Sequence, residues 1–307
     1  MCTSLSLPTA KGRILFGRTL DLDAHFGEAV TLTPRRYPFC FRDCYPLTRH
    51  YALLGMAAVA EGYPLYAEAM NEKGLCMAGL RFAESAAYAS HPQAGRLNLA
   101  PWELIPYLLG TCSTVAEARE ALEGICVVDR PFSDQVGTAP LHWHMVDADP
   151  SHDGLILEVT GEGMRLYATK EGVLTNEPPY PDQLDGMTAW PSLRGDAIGL
   201  PGDYSSPSRF IRAATLRRWW MEQGSTCCST VEGDLALAQF FSVLGAVSPT
   251  AGAVLTPEGG CHRTLYTCCM DTAAGRYHYR TEGTVTVSSV GFEGLDLNGD
   301  AAQTVEG

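Results

Sequence analysis

Cys2 is the residue of this chain whose position suggests chemistry. Removal of Met1, favoured before so small a side chain, leaves a thiol and a free α-amine on one carbon. The thiolate is a strong nucleophile, and an α-amine has a reference pKa near ~8, close to working pH. A base and a nucleophile in one residue provide a route to amide-bond cleavage. A second segment, Gly17-Arg18-Thr19-Leu20-Asp21, places two charges in the apolar stretch Phe16 to Leu22. Arg18 and Asp21 are expected to be half solvated there. By residue type they are either a structural ion pair, or a guanidinium that favours thiolate and a carboxylate that holds the α-ammonium.

The elements that must position these groups are mostly strands. Cys2-Leu7, Ile14-Leu22, Ala29-Thr33, Tyr51-Ala60, Leu65-Asn71 and Leu75-Phe82 are short, apolar or alternating, and separated by turn-formers such as Lys11-Gly12 and Asn71-Glu72-Lys73-Gly74. A helix is expected over Ala100 to Leu109, and Thr114-x-x-Glu117 reads as a capping box opening another over Val115 to Leu122. Strands resume at Leu141-Val146, Gly154-Thr160, Met164-Ala168 and Gly172-Asn176. Helices follow over Ser208 to Met221 and Leu235 to Leu244, and then strands at Leu265-Met270, Arg276-Thr281 and Thr284-Val290. Runs of adjacent strands interrupted by helices point to an α+β fold, antiparallel sheets with helices on their outer faces, in one domain spanning 2–307.

Composition narrows the function. A net charge of -13 argues against a nucleic-acid surface, because phosphate contacts need clustered Lys and Arg. No signal peptide or run of 18 apolar residues is present, so a cytoplasmic protein without membrane contact is expected. Eleven cysteines, an odd number, fit a reducing compartment. Cys40 and Cys44, Cys227-Cys228 and Cys268-Cys269 lack zinc-site spacing. His142-x-His144 reads as a strand with two imidazoles turned outward. Neither a metal nor a cofactor is expected. There is no GxSxG elbow, phosphate-binding loop, HExxH or helix-opening GxGxxG.

In order along the chain come Met1-Cys2-Thr3, Phe16-Gly17-Arg18-x-x-Asp21, Tyr63-Pro64, Asn71-Glu72-Lys73-Gly74-Leu75 with Ala78-Gly79-Leu80, and Leu141-His142-Trp143. Gly172-Val173-Leu174-Thr175-Asn176, Gly199-Leu200-Pro201-Gly202-Asp203, Ser208-Arg209-Phe210 and Tyr266-Thr267-x-Cys269 follow. In these segments the chain resembles the choloylglycine hydrolase family, N-terminal-nucleophile amidases that include bile salt hydrolases and penicillin V acylases. The resemblance implies a four-layer αββα sandwich with Cys2 as nucleophile and its α-amine as general base. It implies that Arg18 polarises the thiol, Asp21 positions the amine, Arg209 completes the charge network, and the Asn176 amide donates to the oxyanion. Such a donor contributes about 3 kcal/mol. By residue type alone, Asn176 is a turn residue and Arg209 a solvated helix arginine.

Arg81 departs from the family pattern, which has Asn or Tyr there. Its backbone N–H can still serve as the second oxyanion donor, and its side chain could attract the carboxylate or sulfonate of a leaving group. The resemblance further implies a conjugated bile acid as the small-molecule substrate, lined by Leu20, Phe26, Phe132 and Val136. It also implies a homo-oligomer, although the stretch from Gln183 to Ile198 is shorter than in many bile salt hydrolases, which weakens the inference to a tetramer. The alternatives are a penicillin V or other N-acyl amide acylase, such as one acting on acyl-homoserine lactones, and an acyl-amide binder without turnover.

Overall fold

The computed structural model describes residues 1–9, 12–190, 199–224, 234–256 and 259–306. Cys227-Cys228 and the 191–198 part of the shortened stretch lie outside the described residues. Two antiparallel sheets carry the architecture. The first orders β12 (Val173–Leu174), β1 (Cys2–Pro8), β2 (Ile14–Leu22), β14 (Cys261–Asp271), β15 (Arg276–Thr281) and β16 (Ser288–Gly291), with β13 (Val254–Leu255) paired to β14. The second orders β11 (Gly163–Thr169), β10 (Gly154–Thr160), β9 (Leu141–Val146), β6 (Cys76–Arg81), β5 (Tyr63–Asn71), β4 (Leu53–Ala60), β3 (Glu28–Thr33) and β17 (Gln303–Thr304). A small parallel pair, β7 (Leu97–Leu99) with β8 (Ile125–Val127), stands apart.

Side-chain alternation decides the layering. On β6, Cys76, Ala78 and Leu80 join the buried cluster shared with the first sheet, α4 (Ser206–Trp219) and α5 (Leu235–Gly245), whereas Met77 faces a second cluster beneath α1 (Leu104–Thr111) and α2 (Val115–Glu123). The result is the αββα sandwich, helices outermost. On β9 the same alternation sends Trp143 and Met145 to the second cluster. His142 and His144 therefore turn into the layer between the sheets, fully buried, and not outward as their pattern suggested.

α2 starts as expected: the Thr114 hydroxyl accepts from Glu117 N–H at 3.1 Å. The return bond is displaced, because Glu117 accepts from Ser113 N–H at 2.6 Å and not from the N-cap residue. The helix α3 (Tyr180–Ala189) was not expected. Asn176, in Thr175-Asn176-Glu177-Pro178-Pro179, reads as a turn residue, and the helix starts directly after, with Pro181 in its first turn, where a proline removes an N–H that has no partner.

Candidate active site

Cys2 lies opposite Leu20, and Ser4 opposite Arg18, so all four side chains share the face of the first sheet that meets the second. The Arg18 guanidinium is 1% exposed, with β14 on one side and the second sheet above it. The expectation that it is half solvated fails because β2 is a central strand. One guanidinium N–H, on Nη2, is directed at Cys2 Sγ. Nη1 donates to Gly79 O at 2.6 Å and to Ala67 O at 3.4 Å, and Nε lies 3.7 Å from the Glu68 carboxylate. Glu68 accepts in turn from Tyr266 Oη at 2.7 Å and Tyr277 Oη at 2.6 Å. Burial is the largest influence on Arg18 and opposes its charge, but Cys2, Tyr266 and Glu68 together outweigh it and raise its pKa.

Asp21 is three residues from Arg18 and so faces the other side of β2. The two do not form an ion pair with each other. Asp21 is fully buried and accepts from Thr264 Oγ1 at 2.7 Å and Thr19 Oγ1 at 3.1 Å. Its backbone pairs with Met1: Asp21 N–H donates to Met1 O at 2.9 Å, and the Met1 amine donates to Asp21 O at 2.6 Å. Burial lowers the pKa of that amine first of all. Cys2 and Asp21 oppose the shift, while Arg209 and Arg18 add to it.

Asn176 gathers the segments. Its Oδ1 accepts from Cys2 N–H at 2.9 Å and Arg209 Nη2 at 2.7 Å, and its Nδ2 donates to Arg81 O at 2.8 Å. Two donors on one atom and a carbonyl on the other fix the amide's orientation. Nδ2 carries two N–H groups, so one remains for another acceptor. Arg209 rises from α4 and is buried. Its Nη1 donates to Cys2 O and, at 2.7 Å, to Thr3 Oγ1, and its Nε donates to Tyr204 O at 3.1 Å.

Arg81 ends β6 with its side chain exposed. Phe82 N–H donates to Pro140 O at 2.8 Å, so the preceding pair, Arg81 with Leu141, is an open position of the ladder. Leu141 N–H and C=O instead meet the Tyr88 hydroxyl, at 2.6 and 3.0 Å. The Arg81 N–H and C=O therefore both point away from β9, the side on which the carbonyl meets Asn176.

A family model described as linear amide C–N hydrolases, choloylglycine hydrolase family, matches residues 2–305. The chain belongs to the choloylglycine hydrolase family. It is thus an enzyme acting on linear amide C–N bonds. It is 36% identical over 326 residues to the bile salt hydrolase/transferase of Lactiplantibacillus plantarum, covering 100% of this chain and 95% of that one. A C2A mutant of the conjugated bile acid hydrolase from Clostridium perfringens has the same structure to a TM-score of 0.91, at 30% identity, covering 100% of this chain and 97% of that one. Penicillin V acylase from Agrobacterium tumefaciens, 23% identical with a TM-score of 0.79 over 98% of this chain and 90% of that one, shares the fold.

Of the four apolar residues named for this choloylglycine hydrolase site, Leu20 sits across from Cys2. Phe132 packs edge-on against Trp102 at 5.1 Å and belongs to the second core. Phe26 and Val136 are exposed. Sequence reasoning missed Glu68, Tyr277 and Thr264 as site residues. Two β-bulges explain why for Glu68 and Thr264. Met56 faces Glu68 while Ala57 faces Tyr66, so Ala67 is an extra residue, and Leu265 is likewise extra between Thr264 and Tyr266. Strict alternation would keep Tyr66 with Glu68 and Thr264 with Tyr266. The one available signal was a lone glutamate in the apolar strand Tyr63–Asn71.

Among the described residues no group of three His, Cys, Asp or Glu could hold a metal ion. None of their helices is long and apolar enough to cross a membrane.

Proposed function

We propose that the working chain begins at Cys2 and hydrolyses glycine- or taurine-conjugated bile acids through a thioester on Cys2. The α-amine takes the thiol proton, and the sulfur attacks the amide carbonyl. The oxyanion accepts the free Asn176 Nδ2–H and the Arg81 N–H. When the C–N bond breaks, the leaving amine takes the proton from the ammonium. Water then adds to the thioester, giving its proton to the α-amine, and the C–S bond breaks to release the bile acid and restore the thiol. Arg18 steadies the sulfur, and Asp21 and Arg209 hold the terminal residue.

The observation that carries this reading is the Asn176 amide, fixed by Cys2, Arg209 and Arg81 with one N–H to spare. For the substrate, support comes from relatives named for bile salts and conjugated bile acids that align along nearly their whole length. The reading takes the chain as one hydrolase domain, a homo-oligomer of the cytoplasm. The resemblance supports the oligomer, and the odd number of cysteines and the character of the N-terminal stretch support the compartment.

Purified protein is incubated with taurocholate, glycocholate and penicillin V, and the released amines are assayed while intact mass reports Met1. Release from the bile conjugates, lost in Cys2→Ser and in protein retaining Met1, is expected. Release from penicillin V alone would favour the N-acyl amide acylase, a reading helped by the dispersal of Phe26, Phe132 and Val136. The Arg81 side chain is assigned to the conjugate's carboxylate or sulfonate, so Arg81→Asn should raise KM. An unchanged KM with a higher kcat would remove that assignment.

A further inference from the structure

His142 is fully buried on β9, paired across from Leu80, and the mechanism above does not use it. It touches the residues directly next to both proposed oxyanion donors. One ring nitrogen, Nε2, lies 2.9 Å from Thr175 O, the carbonyl directly before Asn176. Its ring face stacks on Phe82, which directly follows Arg81, with centroids 4.3 Å apart and planes within 10°. The other nitrogen, Nδ1, lies 3.2 Å from Glu158 Oε1, which also accepts from Tyr180 N–H at 2.8 Å. Glu158 Oε2 is buried without a partner among the described residues.

Donor and acceptor roles follow from these contacts. A carbonyl can only accept, so Nε2 carries a proton and donates it to Thr175 O. Nδ1 faces a carboxyl oxygen, and two acceptors with nothing between them would repel. A second proton therefore lies between Nδ1 and Glu158, whichever of the two holds it. Glu158 thus fixes the ring's orientation and tautomer, in the way that a carboxylate orients a ligating or catalytic imidazole.

We propose that His142 is a positioning residue of the oxyanion site. Its Nε2–H fixes the Thr175–Asn176 peptide, and hence the direction of the Asn176 amide, while its ring seats Phe82 and with it the Arg81 N–H. The inference rests on the oxyanion roles proposed for Asn176 and Arg81. Other bonds hold the same segment: Ser206 Oγ accepts from Asn176 N–H at 2.8 Å, and Gln183 Nε2 donates to Asn176 O at 2.7 Å. The segment also meets the chain at the end of β6 directly, through Asn176 Nδ2 to Arg81 O at 2.8 Å and through Glu177, which accepts from Glu84 N–H at 2.9 Å and from Ser85 N–H and Oγ at 3.1 and 2.7 Å. His142 adds the contact that joins the Thr175 carbonyl to the Phe82 ring.

Two variants separate the contributions. His142→Phe keeps a flat ring on Phe82 and loses the donor, while His142→Gln restores an N–H at a similar reach. Misplacement by about 1 Å costs on the order of 100-fold. His142→Phe should therefore lower kcat for conjugate hydrolysis by roughly 10- to 100-fold, with KM and the rate of Cys2 alkylation by iodoacetamide unchanged. His142→Gln should recover most of the loss. In protein labelled with ¹⁵N-asparagine, the Asn176 side-chain amide signals should shift in the Phe variant and return toward wild type in the Gln variant. Wild-type kcat and unshifted Asn176 signals in His142→Phe would overturn the proposal. So would kcat, alkylation and melting temperature falling together in both variants, the mark of a merely structural residue. If wild type releases no amine from any conjugate, the substrate reading fails, and the Asn176 signals still decide the positioning role. Should the Phe variant not fold because Glu158 is stranded, His142→Phe with Glu158→Gln removes the buried charge, keeps the acceptor for Tyr180 N–H, and is measured in the same way.

Discussion

Arg209→Lys keeps a positive charge where Arg209 stands and removes the fork. The guanidinium spans acceptors on three separate segments: Cys2 O and Thr3 Oγ1 on β1, Asn176 Oδ1 after β12, and Tyr204 O before α4. A lysine ammonium offers its donors from a single nitrogen and cannot bridge that spread. If it keeps β1, it loses Asn176 Oδ1 and Tyr204 O. Two charge-assisted bonds at about 1.5–3 kcal/mol each set a loss of roughly 3–6 kcal/mol, less whatever water recovers. At about 2–4 °C per kcal/mol for large domains, the melting temperature should fall by roughly 6–24 °C.

The catalytic effect is separable. With Arg209 gone, the Asn176 amide is held by Cys2 N–H and Arg81 O alone. Losing a well-placed oxyanion donor costs about 2.7–4 kcal/mol, or 10²–10³ in kcat, which bounds the effect from above. Steady-state release of taurine and glycine, measured well below the variant's melting temperature, should show a kcat at least about tenfold lower with KM little changed. A folded Arg209→Lys enzyme with kcat within twofold of wild type would refute the argument, because charge alone would then suffice and the fork geometry would be irrelevant.

Three further outcomes follow from packing and burial. Glu68→Gln removes the carboxylate charge facing the buried Arg18 and leaves one amide oxygen where two carboxylate oxygens accept from Tyr266 and Tyr277. Breaking a buried pair costs about 3–5 kcal/mol, and a melting temperature equal to or above wild type would contradict it. Gly17→Ala would put a Cβ 2.0 Å from Cys268 O, backbone that cannot yield without parting β2 from β14. A loss at or above the usual overpacking range of about 1–3 kcal/mol is expected in a urea melt, and an unchanged midpoint would mean that the strands are not so closely apposed. His144 has its pKa held down to about 3 by burial, with Arg217 and His142 adding to the effect. The unfolded chain takes up that proton near pH 6.5, so the contribution is complete above 6.5 and is lost as pH falls toward 3. The slope is up to about 1.4 kcal/mol per pH unit. Chemical melts of His144→Phe should show a flatter acid limb, and curves parallel to wild type would exclude the effect.

What the sequence reveals of this site and what it hides divide along a physical line. The hairpin of β1 and β2, the alternation of β6 and the cap at Thr114 are local, set by neighbours a few residues apart, and they were legible. The opposite facing of Arg18 and Asp21 was also legible in principle, since three residues along a strand reverse the side. Asn176 was not, because its partners lie at Cys2, Arg81 and Arg209, and only the family resemblance singled it out. Glu68 and Thr264 were hidden for a different reason. Each adjoins a bulge, and a bulge inserts one residue that period-two reading cannot anticipate.

The two bulges also explain how one strand manages two opposed charges. Without the extra residue at Ala67, Glu68 would turn from Arg18 toward α1, and Ala67 O would stay in the ladder instead of meeting the guanidinium. Without the extra residue at Leu265, Tyr266 and Thr264 would crowd one face, leaving either Glu68 with Tyr277 or Asp21 with Thr19 as its remaining hydroxyl donor. The Leu265 bulge thus sends one hydroxyl to each side of the first sheet, and the Ala67 bulge turns Glu68 to the inner face of the second while Tyr66 stays on its outer face, so that the arginine behind the sulfur and the aspartate beside the terminal residue both stay buried and hydrogen-bonded. Deleting Ala67 or Leu265 should therefore abolish turnover even in protein that still folds, and circular dichroism beside the amine-release assay tests it. A folded deletion variant with wild-type kcat would show that the bulges serve the sheet and not the site.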